Sequence, residues 1–198
     1  MQNVKFLAGE CRGVGDAADF KLHKTVVLVG MMGAGKTAVG RTLSARLDVP
    51  FLDSDAELEQ AAKMSIAEIF ARDGEAFFRD RETEVISRLL DGRPGILSTG
   101  GGAFLAERNR VNISHKGVSV WLNADLNLLW GRVKHKDTRP LLRTANPYAT
   151  LRSLYEDRVP IYKLADLSVK AQPGYSLDQM AAKVVDTLLT RADVLEAA

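Results

Sequence analysis

The chain has 198 residues, 27 Lys+Arg against 25 Asp+Glu, a net charge of +2 and a single cysteine. That length makes one domain with a substantial core, and the near balance of charge does not indicate a general nucleic-acid surface, though it leaves room for a local basic patch. Cys11, being alone, excludes an intrachain disulfide and a cysteine-based zinc cage.

Residues 1–22 mix Lys5, Glu10, Arg12, Asp16, Asp19 and Lys21 with three glycines and no apolar h-region. They read as a flexible N-terminal extension and not as a secretory signal. No run approaches the ~18 apolar residues of a membrane span, so a cytoplasmic protein with no membrane or nucleic-acid partner is expected. Residues 23–198 then form one domain. His23, His115 and His135 lie too far apart in sequence to suggest a metal cluster.

The first strand is "TVVLVG" (25–30), and "GMMGAGKTAVG" (30–40) follows it directly. Gly30-x-x-x-x-Gly35-Lys36-Thr37 matches the phosphate-loop pattern in full. Its glycines let successive N–H groups turn toward one anion. The helix opening near Lys36, with Val39, Leu43 and Leu47 on one stripe, adds the positive end of its dipole. Lys36 would reach the β- and γ-phosphates, and the Thr37 hydroxyl would help hold Mg²⁺. The pattern, set between a β-branched strand and an amphipathic helix, points to a nucleotide and says nothing about the acceptor.

"PFLD" (50–53) is the second strand, and "PFLDSD" carries Asp53 and Asp55. Two apart, they project to one side if the strand continues that far, one serving Mg²⁺ and the next an acceptor hydroxyl. They could equally be an Asx turn and helix cap before "AELEQ". A helical insert follows (about 54–94), in which Ser65 and Glu68 make a capping box, Gly74 is a natural stop and Arg79 lies early in the next helix. The third strand, "GILST" (95–99), runs into Gly100, Gly101 and Gly102. Three bare residues at a strand's C-terminal end favour a ligand wall over a simple flexible turn.

"VSVWLN" (118–123) and "DLSVKA" (166–171) complete five strands separated by helices, which argues for a parallel sheet with right-handed crossovers. Between them "KHKDTRPLLRTANP" (134–147) is polar, basic and proline-marked, a candidate lid carrying Arg139, with Arg132 on the helix before it. Arg158 precedes Val159-Pro160, where a helix must kink or end. Leu177, Met180, Ala181, Val184, Val185, Leu188 and Leu189 keep an i, i+3, i+4 core stripe. A lone arginine is usually a solvated charge; these four matter only if the fold gathers them.

Together, "GMMGAGKTAVGR", "PFLDSD", "DGEAFFRDRE", "STGGGA", "TRPLL" and "DRVPIY" resemble the shikimate kinase family, in order and in spacing, over residues 25–175. The resemblance implies a three-layer α/β P-loop NTPase fold, with five parallel strands in the order 2-3-1-4-5, a substrate-binding insert and a lid. It implies ATP-dependent phosphorylation of the shikimate 3-hydroxyl, in chorismate and aromatic amino-acid biosynthesis, by a monomer using Mg²⁺. By motif, Gly33, Ala34, Gly35, Lys36, Thr37 and Ala38 would hold ATP, with Asp53 supporting the ion through water. Asp55 would orient or deprotonate the attacking hydroxyl. Arg79 and Arg158 would hold the shikimate carboxylate, joined by backbone of Gly100, Gly101 and Gly102. Arg139 would close over the transferring phosphate and Arg132 would pack on adenine.

Two departures stand out. Ala38 takes a place where many members carry a hydroxyl, and Gln172-Pro173 lacks the basic adenine contact expected after the last strand. A gluconate kinase, a nucleoside monophosphate kinase and a non-catalytic nucleotide-binding module are the rival readings. The "GGG" and "DRVPIY" pair opposes the first, the Asp55–Arg79 logic the second, and retention of Lys36, Thr37, Asp53, Asp55 and Arg139 the third.

Overall fold

A computed structural model describes residues 20–135 and 140–197. In chain order its strands are β1 (Phe20–Leu22), β2 (Thr25–Val29), β3 (Phe51–Asp53), β4 (Ile96–Ser98), β5 (Gly117–Asn123), β6 (Leu167–Lys170) and β7 (Leu195–Ala197). Its helices are α1 (Lys36–Leu47), α2 (Ser54–Ala62), α3 (Ile66–Leu90), α4 (Glu107–Lys116), α5 (Leu126–Val133), α6 (Pro147–Tyr162) and α7 (Leu177–Leu188).

The central sheet runs β3-β4-β2-β5-β6 with every pairing parallel. Counted along these five strands, that is the order 2-3-1-4-5. All five residues of β2 are buried, as expected of the middle strand of a sheet covered on both sides, and this is why it reads as an unbroken apolar run. The crossover from β2 to β3 leaves toward one edge, and that from β4 to β5 toward the other. With right-handed connections, their helices α1 and α4 fall on opposite faces, giving three layers. The same reversal opens a crevice beyond the carboxyl ends of β2 and β4, where ligands of open α/β sheets bind. α7 packs against α1 and buries Met180, Ala181, Val184, Val185 and Leu188; full burial of a Val, Leu or Met side chain contributes roughly 1.5–3 kcal/mol.

Several local expectations change. Residues 20–22, assigned to the extension, form β1 and pair antiparallel with β7, Leu22 opposite Leu195. Gly74 does stop a helix, but as a break within α3 at φ 81° and ψ 174°, from which the chain continues directly into a second helical segment. α6 carries Pro160 and ends two residues later, so Arg158 is still helical; the proline falls in the last turn, where few following residues depend on unbroken bonding. Leu177 and Leu189, at the two ends of the α7 stripe, are exposed.

Candidate active site

The loop after β2 turns through Gly33 at φ 82° and Gly35 at φ 95°, conformations that side chains rarely adopt. Gly33 has no room either: an added Cβ would lie 2.7 Å from Val133 Cγ1. Gly35 caps α1 with no side chain occupying its N–H groups, and the first turn carries no acidic residue. An anion therefore meets open donors and an unopposed dipole. Lys36 Nζ donates to Gly30 O at 2.8 Å and Met31 O at 3.2 Å, laying the ammonium across the loop.

Thr37, on the first turn of α1, points its hydroxyl at the ends of two neighbouring strands. Oγ1 lies 3.3 Å from Asp53 Oδ2 at the end of β3 and 3.2 Å from Ser98 Oγ at the end of β4. Thr37, Asp53 and Ser98 thus present only hard oxygen donors beside the phosphate loop. That set fits Mg²⁺, which takes one or two protein ligands and completes its shell with phosphate and water. The described residues contain no cluster of three or more His, Cys, Asp or Glu able to cage a metal. Ser98, buried at the end of an apolar strand, was not singled out from the sequence.

The two readings of "PFLDSD" prove to be complementary. β3 stops at Asp53, whose Oδ1 accepts from Asp55 N at 3.1 Å and Ala56 N at 3.4 Å and so caps α2. Its other oxygen faces Thr37. Asp55, already on the first turn of α2, is left free of capping and lies against the glycine wall: a Cβ on Gly100 would come within 2.7 Å of Asp55 Oδ1. Burial pushes the Asp55 carboxyl above its ordinary value, Asp53 and Glu59 push the same way, and Lys36 and Arg79 oppose them.

The remaining glycines back onto the arginines. A Cβ on Gly102 would lie 2.7 Å from Arg79 Nη2, and one on Gly101 would lie 4.0 Å from Arg158 Nη1. Arg79, from the second segment of α3, is gripped by Glu82 Oε2 at 2.9 Å and by Glu75 Oε1 at 3.1 Å. Burial works against its charge, but the two carboxylates outweigh it and raise the pKa. Glu82 is 2% exposed and its Oε1 has no partner among the described residues. Burial raises the Glu82 pKa too, with Arg79 opposing and Asp55 adding to the rise. Glu82 was missed from the sequence, although its place three residues after Arg79 on a helix was a usable signal.

Asp55, Lys36, Thr37, Gly100, Gly101 and Arg132 line one cleft of about 460 Å³, within the range of small-ligand sites. Arg132 Nη1 donates to Gly33 O and Ala34 O, each at 3.3 Å, beside the phosphate loop. Ala171, Tyr175, Ser176, Leu177 and Met180 also line the cleft, and Gln172 and Pro173 do not. Tyr175, Leu177 and Met180 were not identified as wall residues from the sequence. Arg139 lies outside the described residues.

The constellation thus joins a phosphate cradle to a glycine wall with Asp55, Arg158 and Arg79 against it. Known proteins of similar sequence and fold place the chain in a family. The sequence model for shikimate kinase matches residues 32–189. The shikimate kinase of Ruegeria pomeroyi is 69% identical over 181 residues, covering 91% of this chain and 93% of that protein. That of Cereibacter sphaeroides is 63% identical, covering 89% and 88%. Among solved structures, a shikimate kinase from Acinetobacter baumannii in complex with shikimate superposes with a TM-score of 0.79 at 38% identity, covering 84% of this chain and 93% of that one. On this evidence the chain belongs to the shikimate kinase family.

Proposed function

We propose that the cleft transfers the γ-phosphoryl group of ATP to the 3-hydroxyl of shikimate, giving shikimate 3-phosphate and ADP for chorismate and aromatic amino-acid biosynthesis. The observation that carries this reading is the glycine wall. Asp55, Arg158 and Arg79 lie against Gly100, Gly101 and Gly102 in turn, an arrangement that would suit a general base beside a two-arginine carboxylate clamp. A small cyclic polyol carrying one carboxylate fits that spacing of charges, and arginine's planar fork suits the carboxylate.

In this reading the N–H groups of Gly33, Ala34, Gly35, Lys36, Thr37 and Ala38 cradle the nucleotide phosphates, and Arg132 packs on adenine. Thr37 would ligate Mg²⁺, with Asp53 and Ser98 holding its water shell. Bound there, the ion supplies charge neutralisation on the β- and γ-phosphates. Lys36 leaves its carbonyls for the γ-phosphate. Asp55 accepts the proton of the attacking hydroxyl, and its raised pKa makes it the better base for that step. Arg139 follows its motif onto the transferring phosphate. Residues 54–94 would form the acceptor-binding unit and 134–147 the lid. The enzyme would act as a monomer, and no described helix is long and apolar enough to cross a membrane. A supply of ATP suits the cytoplasm.

A coupled ADP-release assay over shikimate, quinate, gluconate and nucleoside monophosphates tests the assignment. Saturable turnover with shikimate, far above the others, is expected. Preference for gluconate or a nucleotide would overturn it.

A further inference from the structure

Tyr162 has no part in the mechanism above, yet it is one of the largest side chains buried in the protein, at 0% exposure. It is the last residue of α6, two after Pro160 and one turn after Arg158. Its ring stacks on Trp121 with centroids 6.4 Å apart, and phenylalanine would fill that space equally well. The hydroxyl is what needs a reason, because a buried polar group is costly unless it is paired. It is paired with the glycine wall: Tyr162 Oη donates to Gly101 O at 2.5 Å.

Burial pushes the phenol up to about 12, with Arg158 opposing through its charge and hydrogen bonding. The hydroxyl is therefore protonated at physiological pH and always able to donate. Because a peptide unit is planar, holding Gly101 O fixes the orientation of the whole linkage into Gly102. Gly101, in turn, is the residue beside Arg158 Nη1. Tyr162, Gly101 and Arg158 form one connected group at the foot of the clamp.

We propose that Tyr162 is a positioning residue, whose hydroxyl sets the Gly101 peptide and the Arg158 guanidinium in the geometry that grips the acceptor carboxylate. This rests on the carboxylate clamp of the preceding section. It separates Tyr162 from ordinary core packing by a definite consequence. Loss of the hydroxyl should weaken recognition of one functional group on the acceptor and leave nucleotide chemistry alone.

Tyr162→Phe keeps the ring on Trp121 and removes only the donor. Shikimate and its uncharged carboxamide analogue are titrated against wild type and variant without nucleotide, and kcat and the KM for Mg·ATP are measured alongside. Wild type should favour shikimate. The variant should lose about tenfold of that discrimination, 1.4 kcal/mol, mostly as weaker shikimate binding, with kcat and the ATP KM little changed. Ile113→Val, a core change on α4, should lower stability without moving the discrimination. Should Tyr162→Phe melt too low for titration, the same ratio is read from the melting-temperature shifts that the two ligands produce. A wild-type preference retained in full by Tyr162→Phe overturns this inference alone. Wild type that binds both ligands equally overturns the clamp, and the inference with it.

Discussion

Replacing Gly102 by alanine isolates the acceptor clamp with a single methyl group. The backbone there sits at φ −91° and ψ −18°, a conformation alanine adopts without strain. The methyl would nevertheless lie 2.7 Å from Arg79 Nη2, 2.8 Å from Nη1 and 3.0 Å from Cζ. The flexible partner gives way, so the guanidinium moves off the wall while the main chain stays. Losing one charge-assisted contact to a carboxylate should cost about 1.5–3 kcal/mol, roughly 10- to 150-fold in shikimate affinity. The same change at Gly101 meets no protein atom nearer than 3.7 Å, so its loss should be smaller. At Gly100 it would meet Asp55 Oδ1 at 2.7 Å, so there kcat should fall.

Three alanines at consecutive positions thus predict three signatures: a turnover defect, a smaller loss and an affinity defect. Titration of shikimate and steady-state ADP release on all three variants, with melting curves to confirm folding, would read them. Unchanged shikimate affinity in a folded Gly102→Ala variant would refute the placement of Arg79 in the clamp. A uniform loss across the series would mean that the wall matters only as a turn.

The central strands were legible because a strand covered on both faces has no alternative to an unbroken apolar run, and β2 and β5 are such strands. Strand order is a different matter: nothing in "GILST" says that it pairs with "TVVLVG", and the order came only with the family resemblance. The β1–β7 ribbon joins segments more than 170 residues apart in sequence, a pairing that one sequence cannot disclose. At the site, spacing alone divided Asp53 and Asp55 evenly between a cap and a catalytic pair. Where β3 ends decided it, giving the cap to Asp53 and leaving Asp55 to the cleft. Ser98, Glu82 and Tyr162 escaped notice for a shared reason. Each is a buried polar residue whose partner lies on another element or another turn, and burial is the property that a lone polar letter conceals. That Arg79 and Arg158 lie against the glycine wall and Arg132 beside the phosphate loop was likewise conditional on the fold.

Lys36→Met should nearly abolish turnover while shikimate binding without nucleotide survives; calorimetric titration beside the ADP assay would check both, and wild-type activity would sink the phosphate-loop assignment. Asp53→Asn keeps a capping side chain, since asparagine caps about as well as aspartate, so the melting temperature should hold while the Mg²⁺ concentration for half-maximal activity rises. An unchanged Mg²⁺ requirement would leave Asp53 as a cap alone. Asp55→Asn should bind Mg·ATP and lose most phosphoryl transfer, yet gain stability at neutral pH. In the folded protein the Asp55 pKa is raised above 3.8, first by burial and then by Asp53. The folded state therefore holds its proton more tightly than the unfolded chain does, and the favourable contribution present below the unfolded value is lost as pH rises through the folded one. The ionised carboxylate is thus a burden at neutral pH that asparagine does not carry. The dipole of α2 favours a charge on its first turn, but burial and the neighbouring carboxylates act against it. Melting curves from acid to neutral pH should show the variant and wild type converging at low pH, with the variant pulling ahead as pH rises. A pH-independent loss of stability would instead make Asp55 a structural residue, since a base tuned by burial must destabilise the fold wherever it is ionised.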